Sequence, residues 1–288
     1  MPTARHRPPA PTGSRALLIP AAGVLAALAA VALLPFPAAS LWPGGGYSDV
    51  AALGAALARG LEHWWRSGAV DAGPDLDAAV AFWARFHVVK AILSAVLLVL
   101  AVRLGRRTWH EYRQATGRGR RARLAVAGLA VSPVLVLAVL LVAANVQGAL
   151  APLSSALGLL PVGRVGAGSG SGGGGLAGTV REIRLALHSP DASVPPALAR
   201  LVGDFAAYHA VMVGVGAVVT LGLAAAAVRV RQRRRGVEAE PWRLRGPRLL
   251  TATSILGLAV AFAVVTAANL STYLHPAPAL LGFFEGGA

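Results

Sequence analysis

Four polar side chains stand where long apolar runs begin or end, and their types could do chemistry: His87, His209, Asn145 and Asn269. An imidazole takes up a proton, accepts a hydrogen bond or ligates a metal. A carboxamide can orient an imidazole or contact a substrate. Lys90, the only lysine in the chain, follows His87 by three positions and shares its helical face. Met212 takes the equivalent place after His209. Ionisable groups at membrane depth are costly and mark sites. Near a membrane interface, however, lysine snorkels, and Asn and His bond between helices or to carbonyls freed near a helix end. The polar cluster of His87, Lys90, Asn145, His209 and Asn269 therefore admits three readings: structural hydrogen bonding, a substrate or ion site, and a metal or haem site.

For metal, His87 and His209 supply two imidazoles, with no carboxylate nearby at ligand spacing. On facing helices the same pair could be the axial ligands of haem b. His63, His188 and His275 fall on the same side of the membrane, which adds to the metal option. The chain has no cysteine, so disulfides, iron–sulfur centres and thiolate zinc sites are excluded. The expectation is no cofactor, with haem, copper or iron as the alternative.

These residues are placed by an internal repeat. The stretch 267–284, AANLSTYLHPAPALLGFF, has a degenerate copy at 143–160, AANVQGALAPLSSALGLL. At an offset of 124, Ala143, Ala144, Asn145, Leu150, Pro152, Leu157 and Gly158 fall on Ala267, Ala268, Asn269, Leu274, Pro276, Leu281 and Gly282. Upstream, at an offset of 122, Leu76, Val80, Trp83, Phe86 and His87 fall on Leu198, Val202, Phe205, Tyr208 and His209. Each unit reads as an inward helix, an Arg-rich loop, an outward helix and a tail restarted by proline. Two units of one orientation make a parallel repeat with its axis along the membrane normal. Counting about 20 residues from each basic boundary puts both His and both Asn at the outer edge of the hydrocarbon.

Composition demands a membrane chain: mean hydropathy is +0.62 and only 14% of residues are charged. Five apolar stretches can cross about 30 Å of hydrocarbon as helices, near 16–35, 86–104, 124–149, 208–228 and 249–270. They are continuous Ala/Leu/Val runs without the alternation of barrel strands. The net charge of +15 would suggest nucleic acid in a soluble protein, but its distribution follows topology. Of 27 basic residues, 19 lie in three segments, namely Arg5, Arg7 and Arg15, then 103–123, then 229–248. By the positive-inside rule these are cytoplasmic, so the N-terminus is inside and the C-terminus outside. The partners expected are the bilayer, with anionic lipids at the Arg-rich loops, and a membrane protein or a second copy of the chain. No nucleic acid is expected.

The organisation read from this is an all-α polytopic bundle of five transmembrane helices, four of them in two tandem hairpins, with external amphipathic helices. Residues 1–15 form a basic cytoplasmic tail. Residues 16–35 are the first transmembrane helix, which is retained or serves as a signal segment cut near Pro-Phe-Pro-Ala-Ala-Ser. Residues 36–73 are an external loop whose amphipathic helix begins at an N-cap, Ser48. There Val50, Leu53, Leu57, Leu61 and Trp64 recur at helical spacing, and the face lies on the outer membrane surface, with Trp64 and Trp65 at headgroup depth, or caps the bundle. Residues 74–161 are the first repeat unit, opening at Pro74 in a helix continuous into the membrane. Residues 162–194 are a Gly-rich external linker with a short helix over Thr179 to His188. Residues 195–288 are the second unit.

The tail AANLST with PAPALLGFF resembles the C-terminal motif of uncharacterised multi-pass membrane proteins of actinobacteria. Trp83 with His87 and Lys90 at a helix start, and Asn145 or Asn269 at a helix end, are similar to small anthrone-oxygenase-like membrane proteins. No catalytic residue is carried over. The resemblance and the Arg-rich, Lys-poor composition imply a bacterial plasma membrane. The function expected is a non-enzymatic membrane complex subunit or small-molecule/ion transport element with its polar site near the outer leaflet. The alternative is a membrane redox protein holding metal or haem through His87 and His209.

Overall fold

Proline punctuation sets the helix boundaries. Pro74 and Pro196, whose missing N–H costs nothing in a first turn, each open a long helix, and Pro152 and Pro276 each restart the chain after one. The computed structural model describes residues 15–43, 46–161, 175–189, 194–232 and 242–286, with the backbone alone for 15–16 and 242–248. The N-terminal segment with Arg5 and Arg7, the Gly-rich linker up to residue 174 and residues 233–241 of the second Arg-rich loop lie outside the described residues.

The described residues form ten helices and no strand: α1 (Arg15–Leu33), α2 (Pro35–Ser40), α3 (Val50–Ser67), α4 (Pro74–Gln114), α5 (Arg118–Leu150), α6 (Pro152–Leu157), α7 (Leu176–His188), α8 (Pro196–Gln232), α9 (Trp242–Leu274) and α10 (Pro276–Phe284). Four are long and apolar enough to cross a membrane: α4, α5, α8 and the Leu249–Leu274 portion of α9. The apolar part of α1 is shorter, Leu17–Leu33. Prolines at 35 and 37 remove two amide donors just beyond it, which is why α1 gives way to the separate turn of α2. At 41 residues, α4 is roughly 62 Å long, so it exceeds the hydrocarbon thickness by a wide margin.

The chain divides into two compact units. The first comprises residues 1–38 and 88–145. Its core is a seam of Val24, Ala27 and Val31 from α1, Leu97 and Leu104 from α4, and Val131 and Ala138 from α5. At Gly105 α4 packs closely on α5, a Cβ there lying in ordinary contact with Val131 at 3.6 Å. Outward faces stay apolar, with Ile19 82% and Leu129 73% exposed. Such surface is unfavourable in water and suits lipid.

The second unit comprises residues 39–87 and 146–288. Here α8 and α9 pack together extensively, α6 and α10 pack on α8, and α7 packs on both α3 and α10. Leu53, Leu57, Leu61 and Trp64 bury one face of α3. Gly60 is required where α3 meets the start of α4, because a Cβ would lie 2.9 Å from that of Leu76.

Three expectations about α3 are corrected. Its N-cap is Asp49, not Ser48: Asp49 is extended and its carboxylate accepts from the Ala52 amide at 2.7 Å, while Ser48 donates to the other carboxylate oxygen. A carboxylate outcompetes a hydroxyl for an unpaired first-turn N–H. Trp64 is only 1% exposed, and its indole donates to the Ala69 carbonyl, so it belongs to the protein interior rather than to the headgroup layer. Val50, expected on the buried face, is 49% exposed.

Several hydroxyls on the long helices are satisfied within their own helix, whereas the buried hydroxyls of Thr108 and Thr220 have no partner among the described residues. Ser94, Ser132, Thr253 and Thr266 each donate to the carbonyl four residues earlier. In lipid no water is available to do this.

Candidate functional site

On α9, Asn269 donates from Nδ2 to the Val265 carbonyl at 2.8 Å, which fixes the orientation of its amide. Its oxygen then faces Nδ1 of His209 on α8, also at 2.8 Å. A carboxamide oxygen only accepts, so Nδ1 is the donor of this contact, and in the neutral ring the lone pair then falls on Nε2. Phe205 and Tyr208 meet the ring edge-on, at 4.7 and 5.4 Å between centroids. Nε2 of His209 makes no hydrogen bond among the described residues.

The same local pattern surrounds His87. Trp83 and Phe86 meet its ring edge-on, at 4.7 and 5.3 Å, and Asn145 on α5 donates to the Leu141 carbonyl at 2.7 Å just as Asn269 does to Val265. The far side of the ring differs. Nε2 of His87 lies 3.1 Å from Oγ of Ser155 on α6, and Ser155 also accepts from the Trp83 indole at 3.1 Å. A serine hydroxyl has one donor and two acceptor sites, so Ser155 can accept from Trp83 and still engage Nε2 of His87 as donor or as acceptor, according to the tautomer of the ring. The His87 ring rests directly on α5, since a Cβ at Gly148 would lie 2.6 Å from Nδ1, Cε1 and Nε2. Beside Gly148, Gln147 donates to the Tyr208 carbonyl at 3.1 Å, one residue from His209.

No protein-family model, curated protein or solved structure matches this chain. What the site can do is therefore read from its geometry alone.

Of the five residues singled out by sequence, His209 and Asn269 are joined by a direct hydrogen bond. His87 is held by Ser155, Trp83 and Gly148 in the second unit. Asn145 and Lys90 belong to the first unit, where Asn145 is buried and the Lys90 carbonyl accepts from Ser94 at 2.6 Å. No group of three or more His, Asp or Glu placed to hold a metal ion occurs among the described residues.

Ser155, Gln147 and Gly148 were not anticipated. A signal for Ser155 was available in the mismatches of the repeat rather than in its matches: the residue 124 positions on is Ala279. The two are comparable in place, because Ala151 (φ −132°, ψ 67°) and His275 (φ −131°, ψ 63°) hold one backbone conformation and each accepts from the residue four further on, Ser155 or Ala279. Thr272 likewise stands where Gly148 would be.

Around this site several polar contacts fasten the second unit. Arg200 on α8 lies over the Trp64 ring at 5.5 Å and pairs with Asp204 at 3.8 Å and Asp71 at 4.0 Å. Trp65 donates to Glu182 at 2.9 Å, and Arg184 donates to the Phe284 carbonyl. Burial, then the Asp75 carboxylate, pushes the Tyr47 phenol above its ordinary range, so Tyr47 stays a neutral packing partner of Phe82.

Proposed function

We propose that this chain is a non-enzymatic membrane element that binds an ion or small polar molecule near the outer leaflet, with Nε2 of His209 as the accepting atom. One observation carries the reading: Asn269 commits the His209 proton to Nδ1, while the residue that covers the corresponding nitrogen of His87, Ser155, has only Ala279 as its counterpart. A lone pair of fixed direction on neutral imidazole suits a proton, a borderline cation or a hydrogen-bond donor.

The surrounding architecture in this proposal is two tandem parallel hairpins, α4–α5 and α8–α9, after a first span, α1. Its support is that the helix limits follow the sequence offsets: Pro74 and Pro196 differ by 122, Leu150 and Leu274 by 124. The segregated arginines support a plasma-membrane orientation with the N-terminus cytoplasmic and the C-terminus outside. The chain then serves as a transport element or as the subunit of a membrane complex. Flux of protons and divalent cations into liposomes holding the full-length protein, compared with His209→Ala, is the test. A wild-type flux that His209→Ala leaves unchanged overturns the assignment of His209.

A second reading has its own observation. Donation of Nδ1–H to a carbonyl oxygen is the arrangement by which proteins orient metal-ligating imidazoles. His209 could thus hold copper, iron or zinc. A bis-histidine haem would also require His87, whose Nε2 is engaged by Ser155, so its ligation costs that hydrogen bond. Absorbance in the Soret region or stoichiometric metal in purified protein would support this reading, and colourless metal-free protein would remove it.

A further inference from the structure

At the opposite end of the first unit, Leu17, Arg106, Arg107, His110 and Glu111 line an open groove of about 310 Å³. Arg106 and His110 are four residues apart and share a face of α4, with Arg107 beside them. The one carboxylate in the lining does not cancel their charge, because Glu111 is engaged by Arg120 at 2.6 Å. His110 contacts Gln114 at 3.3 Å, so no acid is paired with it among the described residues. The groove is therefore a cationic recess with two guanidinium groups available.

The fourth wall decides the class of ligand. Leu17 begins the apolar run of α1, and Leu18 and Ile19 beside it are exposed. Arg106 stands two residues past the buried Leu104, the last member of the apolar seam on α4. The recess thus lies where hydrocarbon-facing surface gives way to arginine, at headgroup level for any chain whose α1 and α4 enter lipid. Guanidinium binds phosphate oxygens through paired N–H donors, with geometric fit as well as charge.

We propose that this groove is a discrete binding site for the phosphate of an anionic phospholipid, held by Arg106 and Arg107 with His110 beside it and with the acyl chains following Leu17 and its exposed neighbours. This is distinct from diffuse attraction between Arg-rich loops and a negative surface, which depends on charge number and not on position. It is also independent of the reading of His209.

Native mass spectrometry of the full-length protein released from nanodiscs of phosphatidylglycerol and phosphatidylcholine tests it. Wild type should retain about one phosphatidylglycerol in preference to phosphatidylcholine, and R106Q/R107Q should lose that retention by roughly tenfold or more, as expected for two charge-assisted contacts. R118Q/R123Q, which removes the same charge from the following turn of chain, should retain it. Equal loss in the two double variants, or retention in R106Q/R107Q, overturns the site. Displacement of the lipid by millimolar inorganic phosphate, with phosphate alone protecting the fold in the wild type, would make soluble phosphate the ligand and overturn the lipid assignment.

Discussion

Oγ of Ser155 lies 3.1 Å from Nε2 of His87 and 3.1 Å from the Trp83 indole nitrogen, so a single hydroxyl engages one histidine and satisfies a tryptophan at once. Ala279, in the corresponding position of α10, can do neither for His209. Exchange of these two residues should exchange the properties of the two histidines. In protein with 15N-labelled histidine, Ala279→Ser should move the His209 Nε2 resonance toward that of a hydrogen-bonded acceptor and weaken zinc or copper binding about tenfold. Ser155→Ala should move His87 the other way. Identical spectra for Ala279→Ser and wild type would show that the two short helices do not present equivalent positions.

Removing Asn269 should cost stability as well as orientation. Asn269→Leu leaves the Nδ1–H of His209 without its acceptor in a part-buried setting, a loss of about 1–3 kcal/mol. Thermal unfolding in detergent measures it, and NMR should show both imidazole tautomers in place of one. An unchanged melting temperature with a single tautomer would mean that something other than Asn269 sets the proton.

Besides Gly60, Gly148 and Gly216 are set by close approach, and Gly214 and Gly222 are not. Gly148→Ala drives a methyl into the His87 ring, and Gly216→Ala drives one into Thr266. Each should destabilise by about 1–3 kcal/mol. Nothing lies within 4 Å of a Cβ at Gly214 or Gly222, so alanine there should be neutral or stabilising by up to about 1 kcal/mol through helix propensity. A ranking in which Gly214→Ala is worse than Gly216→Ala would contradict the packing of α8 on α9.

Because the chain has no cysteine, single cysteines report topology directly. In intact cells a membrane-impermeant maleimide should label Ser67→Cys, at the C-terminal end of α3, and spare Thr116→Cys, between α4 and α5, until the membrane is opened. The reverse pattern would invert the orientation drawn from the arginines.

Much of the helical framework was legible because its signals are local. Long apolar runs, prolines in first turns and the constant offsets predict α4, α5, α8 and α9 and the short helices that start at Pro152 and Pro276. The periodicity of α3 predicts a buried face, but periodicity does not say what covers that face. Trp64 is therefore an interior residue under Arg200, where a lipid headgroup was an equal expectation. The site was half legible. The repeat puts His209 and Asn269 in one group of two histidines and two asparagines without saying which would pair, whereas Ser155 reaches His87 across 68 residues with nothing in its neighbourhood to announce it.

The polar side chains that bond back to their own helix bear on how the protein is made. Ser94, Ser132, Asn145, Thr253 and Thr266 arrive in the bilayer already satisfied, so the insertion machinery can release their helices one at a time. His209 differs, because the acceptor for its proton is synthesised 60 residues later. Until α9 emerges, α8 carries an unmatched donor at His209, which makes these two helices a pair best handed to the membrane together.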